Sequence, residues 1–150
     1  MSILQCIDFG SVLAFSGNGR YVNDPNATSI PNNGPLPHGI YYIVARQSGG
    51  RHGRVVDAAN DLMTGTSRRD WFALYAATPP VRDFLVIEGV RRGNFRIHPV
   101  GYWGVSEGCI TLANAQNFYA FRTWLARQRT ATIPGTAIDH YGGRVRNFVC

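Results

Sequence analysis

The sequence predicts a mainly β domain: a β-sandwich or open barrel of short strands with one amphipathic helix packed on it. Three observations carry this. The apolar runs are short and rich in Ile, Val, Tyr and Phe, which suit a pleated, half-buried surface. Turn residues interrupt them throughout, with 17 Gly and 8 Pro in the chain. One stretch repeats its apolar residues at helical spacing: Phe118, Phe121 and Leu125, with Trp124 beside them. At 150 residues, 45% of them hydrophobic, the chain is expected to form a single domain, 1–150, with a proper core. Many strands and one helix give a layered β architecture rather than an alternating α/β one.

The elements follow in order. Ile3 to Ile7 and Val12 to Phe15 flank Asp8-Phe9-Gly10 and predict a hairpin. Ser16-Gly17-Asn18-Gly19 predicts a turn; lacking a Lys-Ser/Thr, it is a poor phosphate cradle. Residues 20 to 38, rich in Asn and Pro, predict a loop, and Gly39 to Arg46 a strand. Gln47 to Asp70 is rich in Gly and Arg and predicts a long loop with one short helix near Val55 to Met63; a loop of that length suits the covering of a cleft. Trp71 to Ala76 and Asp83 to Glu88 read as strands, separated by Thr78-Pro79-Pro80. Arg91-Arg92-Gly93-Asn94 predicts the turn into a strand over Phe95 to His98. Pro99 to Gly108 is then a loop, and Cys109 to Leu112 the next strand. Asn114 is placed to cap the helix, which ends before Pro134-Gly135. Thr136 to His140 and Val145 to Val149 predict a closing pair of strands around Gly142-Gly143. The total is about seven to nine strands.

Composition narrows the function. The net charge is +6, and all 15 basic residues are Arg, which suits bidentate pairing with carboxylates and phosphates. They are scattered, apart from Arg68-Arg69 and Arg91-Arg92, and no helix-turn-helix or aromatic–basic RNA pattern accompanies them. Nucleic acid is therefore not an expected partner, whereas an anionic polymer is. His38, His52, His98 and His140 form no ligand-type pair and the cysteines no Cys-x-x-Cys, so neither a metal nor another cofactor is expected. Residues 1 to 8 have no basic start and no long apolar run, so no secretory signal is expected. No stretch has the length of a membrane span, and no membrane partner is expected. Cys6 and Cys150 lie near opposite chain ends, which often approach one another, so a bond between them in an oxidising compartment is an open alternative to two free thiols.

The chemistry concentrates in residues 95 to 112. The loop after His98 leads to Cys109, which puts an imidazole and a thiol at its two ends. A thiol acts as a nucleophile once it is a thiolate, and a nearby imidazole can take its proton. Gly108 permits close approach of backbone and substrate, and the N–H groups of Gly108 and Cys109 are candidates for an oxyanion hole. Against this stands the common case, in which a lone Cys is a small buried hydrophobe and a lone His is structural.

Ser106-Glu107-Gly108-Cys109-Ile110 together with His98 resembles the active-site motif of L,D-transpeptidases of the YkuD type. The spacer after His98 is short, and Glu107 stands where most of that family has a second His; both departures resemble the divergent branch of type VI secretion L,D-transpeptidase effectors. Gly34-Pro35-Leu36-Pro37-His38-Gly39-Ile40-Tyr41 resembles that branch's Gly-Pro-x-Pro-x-Gly-x-Tyr segment, and Ser16-Gly17-Asn18-Gly19 with Asn23-Asp24-Pro25 its N-terminal loop. The likeness spans residues 11 to 113.

The resemblance implies a β domain with a helix and a cysteine acyltransferase or hydrolase acting on peptidoglycan stem peptides. Cys109 would be the nucleophile and His98 the base, with the carbonyl of Pro99 orienting the imidazole. Ser106 would either shape the loop, by hydrogen bonding within it, or take a direct part in the chemistry. Arg96, Tyr102, Trp103 and Glu107 are candidates for the substrate cleft; a surface charge for Arg96 and core positions for the aromatics are equally open. Implied partners are the stem peptides, type VI components for delivery into a target periplasm and a periplasmic immunity protein. A catalytically inactive wall-binding or adaptor module with the same fold is the alternative. A generic cysteine peptidase is a weaker one, because its distant His and Asn/Asp pattern is not visible.

Overall fold

Strands send successive side chains to opposite faces, and here that alternation sorts one sheet into an apolar face and a mixed one. The computed structural model describes residues 1–6, 8–45 and 67–147, and their side chains except those of 142–147. Its elements are β1 (Ser2–Cys6), β2 (Gly10–Phe15), β3 (Gly39–Ala45), β4 (Phe72–Ala76), β5 (Phe84–Ile87), β6 (Val90–Gly93), β7 (Arg96–Pro99), β8 (Ile110–Leu112), α1 (Ala115–Leu125), β9 (Thr130–Thr132) and β10 (Asp139–Asn147). Eight strands form one curled sheet in the order β1-β2-β8-β7-β4-β3-β10-β9, while β5 and β6 form a separate hairpin. The mainly β class with one packed helix is what the sequence predicts; of its two architectures, the open curled sheet is the one formed.

Most neighbours in the sheet are antiparallel, but β7 and β8 run parallel, with His98 opposite Thr111 and Ile97 opposite Ile110. One face carries Val12 and Ala14 of β2, Tyr41 and Ile43 of β3, Phe72 and Leu74 of β4, Ile97 of β7, and Ile110 and Leu112 of β8. Against it lies α1, whose Phe118, Phe121 and Leu125 are fully buried. Each such side chain contributes about 1.5–3 kcal/mol by leaving water. Asn114 caps the helix through its Oδ1, which accepts from the Asn117 N–H at 3.1 Å. Arg122 of α1 pairs with Asp70 at 3.1 Å, and Phe9 of the first hairpin wedges edge-on against Phe121.

The opposite face holds Tyr42 and Val44 of β3, Ala73 of β4, Arg96 and His98 of β7, and Thr111 of β8, with Cys109 just before that strand. The N-terminal loop borders it. Ser16 Oγ accepts from the Leu36 N–H at 2.7 Å, and Asp24 caps a 3-10 turn over Pro25–Ala27.

Four expectations are corrected. Arg91-Arg92-Gly93 is not a turn: it belongs to β6, and the reversal falls at Glu88-Gly89, both at positive φ. That bend contains a Gly just as Arg91-Arg92-Gly93-Asn94 does, so composition could not choose between them. The closing pair around Gly142-Gly143 is one strand, β10, which pairs with both β9 and β3 and has a register irregularity between His140 and Arg144. The strand expected from Cys109 begins at Ile110. Short β9 was not foreseen, and among the described residues there are ten strands rather than seven to nine. The helix near Val55 to Met63, and Cys150 with its pairing, lie outside the described residues.

Candidate functional site

His98 owes its place to β7, where alternation sends Ile97 into the core and His98 to the opposite face. The side chain is 6% exposed. Its Nδ1 donates to the Pro99 carbonyl at 2.8 Å, which leaves Nε2 as the basic nitrogen. The Thr111 hydroxyl meets Nε2 at 3.2 Å, directly across the parallel ladder. Trp71 stacks on the imidazole with ring centroids 4.4 Å apart. Burial, which penalises the imidazolium, pushes the His98 pKa down to about 4; the Pro99 hydrogen bond works against this and the Arg68 charge with it.

Cys109 is 8% exposed and has no disulfide partner. Burial pushes its thiol up to about 11. The Arg96 backbone N–H, the Arg96 guanidinium and, more weakly, Arg68 favour the thiolate, while the Glu107 carboxylate opposes it. The parallel pairing therefore brings the expected pair onto one face, each in its neutral form. The hydrogen bond to Nε2 comes from Thr111.

The loop between them is held from inside. Ser106, 1% exposed, donates its hydroxyl to the Cys109 carbonyl at 2.8 Å, the loop-shaping geometry among its two alternatives. Gly108 sits at φ +90, where a side chain is strained, and a Cβ there would lie 2.5 Å from Arg92 Nη2. Arg92 is itself buried. Its Nη2 donates to the Gly34 carbonyl at 2.9 Å and its Nη1 to the Thr28 carbonyl. Burial lowers its pKa, against the attraction of Tyr41 and Cys109. A Cβ on Gly34 would collide with the Ala27 carbonyl at 2.0 Å, so the Gly34-Pro35 segment must be glycine at that point. One guanidinium thus pins the N-terminal loop by two hydrogen bonds and packs against the turn before the nucleophile.

The remaining candidates are placed as follows. Arg96 is half-buried, with Nη1 donating to the Phe95 carbonyl at 2.7 Å. Tyr102 and Trp103 are 80% and 77% exposed, so the core alternative for them is corrected: they lie on a Gly-punctuated loop outside any strand, where no period-two alternation turns a side chain into the core. Glu107 is exposed. Among the described residues no group of three or more His, Cys, Asp or Glu converges as metal ligands would, and no helix is long and apolar enough to cross a membrane. Sequence reasoning missed Thr111, Trp71, Arg68 and Arg92. The pattern Cys109-x-Thr111 did hold a clue, since residues two apart in a strand share a face.

Fold and site define a mainly β domain that carries a buried thiol and imidazole on the sheet face turned away from its helix. The family model described as the Tlde1 domain matches residues 10–136. The chain belongs to that family of type VI secretion effector domains, and so to the antibacterial effectors. No curated protein and no solved structure matches it.

Proposed function

We propose that the chain is a cysteine acyltransferase or hydrolase acting on peptidoglycan stem peptides, as the L,D-transpeptidase resemblance implies. The observation that carries this reading is the parallel, in-register pairing of β7 with β8, which sets His98, Cys109 and Thr111 on one face, while the Pro99 hydrogen bond at Nδ1 leaves Nε2 free of a proton. In the first step Nε2 takes the thiol proton and sulfur attacks the carbonyl of the third stem residue. N–H groups at Gly108 and Cys109 stabilise the oxyanion. The imidazolium returns the proton to the leaving D-alanine amine, and a thioester on Cys109 remains. Water then gives carboxypeptidase action, a D-amino acid gives exchange, and a second stem amine gives a crosslink.

With the thiol near 11 and the imidazole near 4, the proton rests on sulfur. Transfer accompanies attack, and the Thr111 hydroxyl has to yield Nε2 as it occurs. The resting arrangement also favours a second reading, an inactive wall-binding module in which Thr111 permanently holds the imidazole. Mass spectrometry of muropeptides after incubation with wild-type and Cys109→Ala protein separates the two. Loss of terminal D-alanine, or its exchange, that vanishes with Cys109→Ala supports the enzyme; unchanged muropeptides with both proteins support the module.

Membership of an effector family fits delivery by the type VI apparatus and a matching periplasmic immunity protein in the producer. On this reading the protein is harmless in the cytoplasm and toxic when directed to the periplasm. Toxicity that persists there with Cys109→Ala overturns it.

A further inference from the structure

The chemistry above leaves one cavity unassigned. Its volume is about 310 Å³, and Asn32, Asp83, Phe84, Arg91, Asn94 and Glu107 line it, together with Arg92. The β5–β6 hairpin builds one wall. Phe84 pairs with Gly93, and the Asn94 N–H donates to the Asp83 carbonyl at 3.0 Å, closing the hairpin base. Gly93 permits this approach, since a Cβ there would lie 2.6 Å from the Asp83 carbonyl. The Arg91 guanidinium lies over the Phe84 ring, 3.9 Å from its centroid, which restricts its sweep.

Both signs of charge line this one cavity, yet among the described residues Asp83, Arg91 and Glu107 form no ion pair. Opposite charges held apart around a cavity suit a ligand that carries both. An Arg fork matches a carboxylate, and two carboxylates match an ammonium. The cavity also adjoins the nucleophile. Arg92 lines it and stands against Gly108, while Glu107 belongs to the nucleophile's own loop and its charge reaches Cys109.

We propose that this cavity binds the zwitterionic amino-acid head that ends the side chain of the donor stem's third residue. Arg91 takes its carboxylate; Asp83 and Glu107 take its ammonium. The proposal rests on the stem-peptide reading and adds a selectivity to it. Diaminopimelate ends in both charges, whereas lysine ends in an ammonium alone. A free D-amino acid acceptor carries the same head, but an amine paired with two carboxylates stays protonated and cannot attack the thioester.

The test uses two tetrapeptides that differ only in the third residue, diaminopimelate or lysine, with free D-alanine as a third ligand. Binding is measured calorimetrically on Cys109→Ala protein, and turnover on the wild-type active site. The diaminopimelate peptide binds about tenfold tighter than the lysine peptide, the scale of one charge-assisted contact. Adding Arg91→Gln removes that difference. Adding Asp83→Asn weakens both peptides about threefold, because both carry the ammonium. Free D-alanine, lacking the rest of the stem, binds more weakly than the diaminopimelate peptide, and thermal melts check each fold. A preference that survives Arg91→Gln, no binding of either peptide, or an Arg91→Gln effect on D-alanine instead of the peptides overturns the proposal. No turnover of either peptide with the binding difference intact counts against the acyl-transfer chemistry and still supports the cavity assignment.

Discussion

The two buried imidazoles of this sheet, on β7 and β10, are built alike and surrounded differently. His98 Nδ1 meets the carbonyl of the next residue, Pro99, at 2.8 Å; His140 Nδ1 meets that of Tyr141 at 2.6 Å. Each lies against an aromatic ring, His98 on Trp71 at 4.4 Å and His140 on Tyr42 at 4.7 Å. The difference is across the ladder. His98 faces Thr111, two residues from Cys109, with Arg96 on the same face, whereas His140 pairs with Val44 and Ala131 beside a small apolar cluster. A carbonyl-anchored, stacked imidazole is thus a way to bury a histidine. It becomes a candidate base only where the neighbouring strand supplies a nucleophile.

The sharpest way to break that comparison is to remove each partner in turn. Cys109→Ala abolishes turnover of stem peptides with little loss of stability, and His98→Ala lowers the rate by about a hundredfold or more. His140→Ala leaves the rate within about threefold while costing about 1–3 kcal/mol of stability, the range for a lost buried contact. Muropeptide assays paired with denaturant titrations check all three. Equal rate losses at His98 and His140 would erase the distinction.

Gly108→Ala comes next. It meets both a left-handed backbone and the buried Arg92 guanidinium, so a loss of about 2–4 kcal/mol is expected, together with a fall in activity. A variant as stable as the parent would show that the turn before Cys109 tolerates a side chain against Arg92 after all. Thr111→Val keeps the shape and removes the hydroxyl from Nε2, leaving a buried acceptor unmet at a cost of about 1–2 kcal/mol. Ala131, which faces His140, carries no hydroxyl, so no such bond exists there; the urea midpoint of Thr111→Val against that of the parent measures the one at His98.

The remaining effect is on pH, spread gradually over more than two pH units. The His98 pKa falls from 6.5 to about 4 on folding, so between those values the unfolded chain binds the extra proton and the native state does not. Stability contributed by this site is therefore full above about pH 6.5 and falls as pH drops toward 4, by up to about 3 kcal/mol. His98→Ala removes this component of the acid slope. An unchanged slope between pH 6.5 and 4 would mean that the imidazole is charged in the folded protein.

Local residue order was enough to determine much of this molecule. The first hairpin, the strand over Gly39–Ala45, the capped helix and its buried stripe all follow from period-two or helical apolar spacing. His98 and Cys109 were legible as a pair because a Gly- and Pro-punctuated loop joins two apolar runs. Only the tertiary structure decided that β7 and β8 run parallel. Parallel crossovers commonly take a dozen or more residues, so the loop over 100–109 gives no hint of one. That direction makes Thr111 the partner of Nε2 and pairs its strand with that of His98. It likewise took the assembled fold to bury Arg92, since its carbonyl partners at Thr28 and Gly34 come from a distant loop. Spacing along the chain specifies which face a side chain takes; which strand lies beside that face depends on long-range packing that no local pattern records.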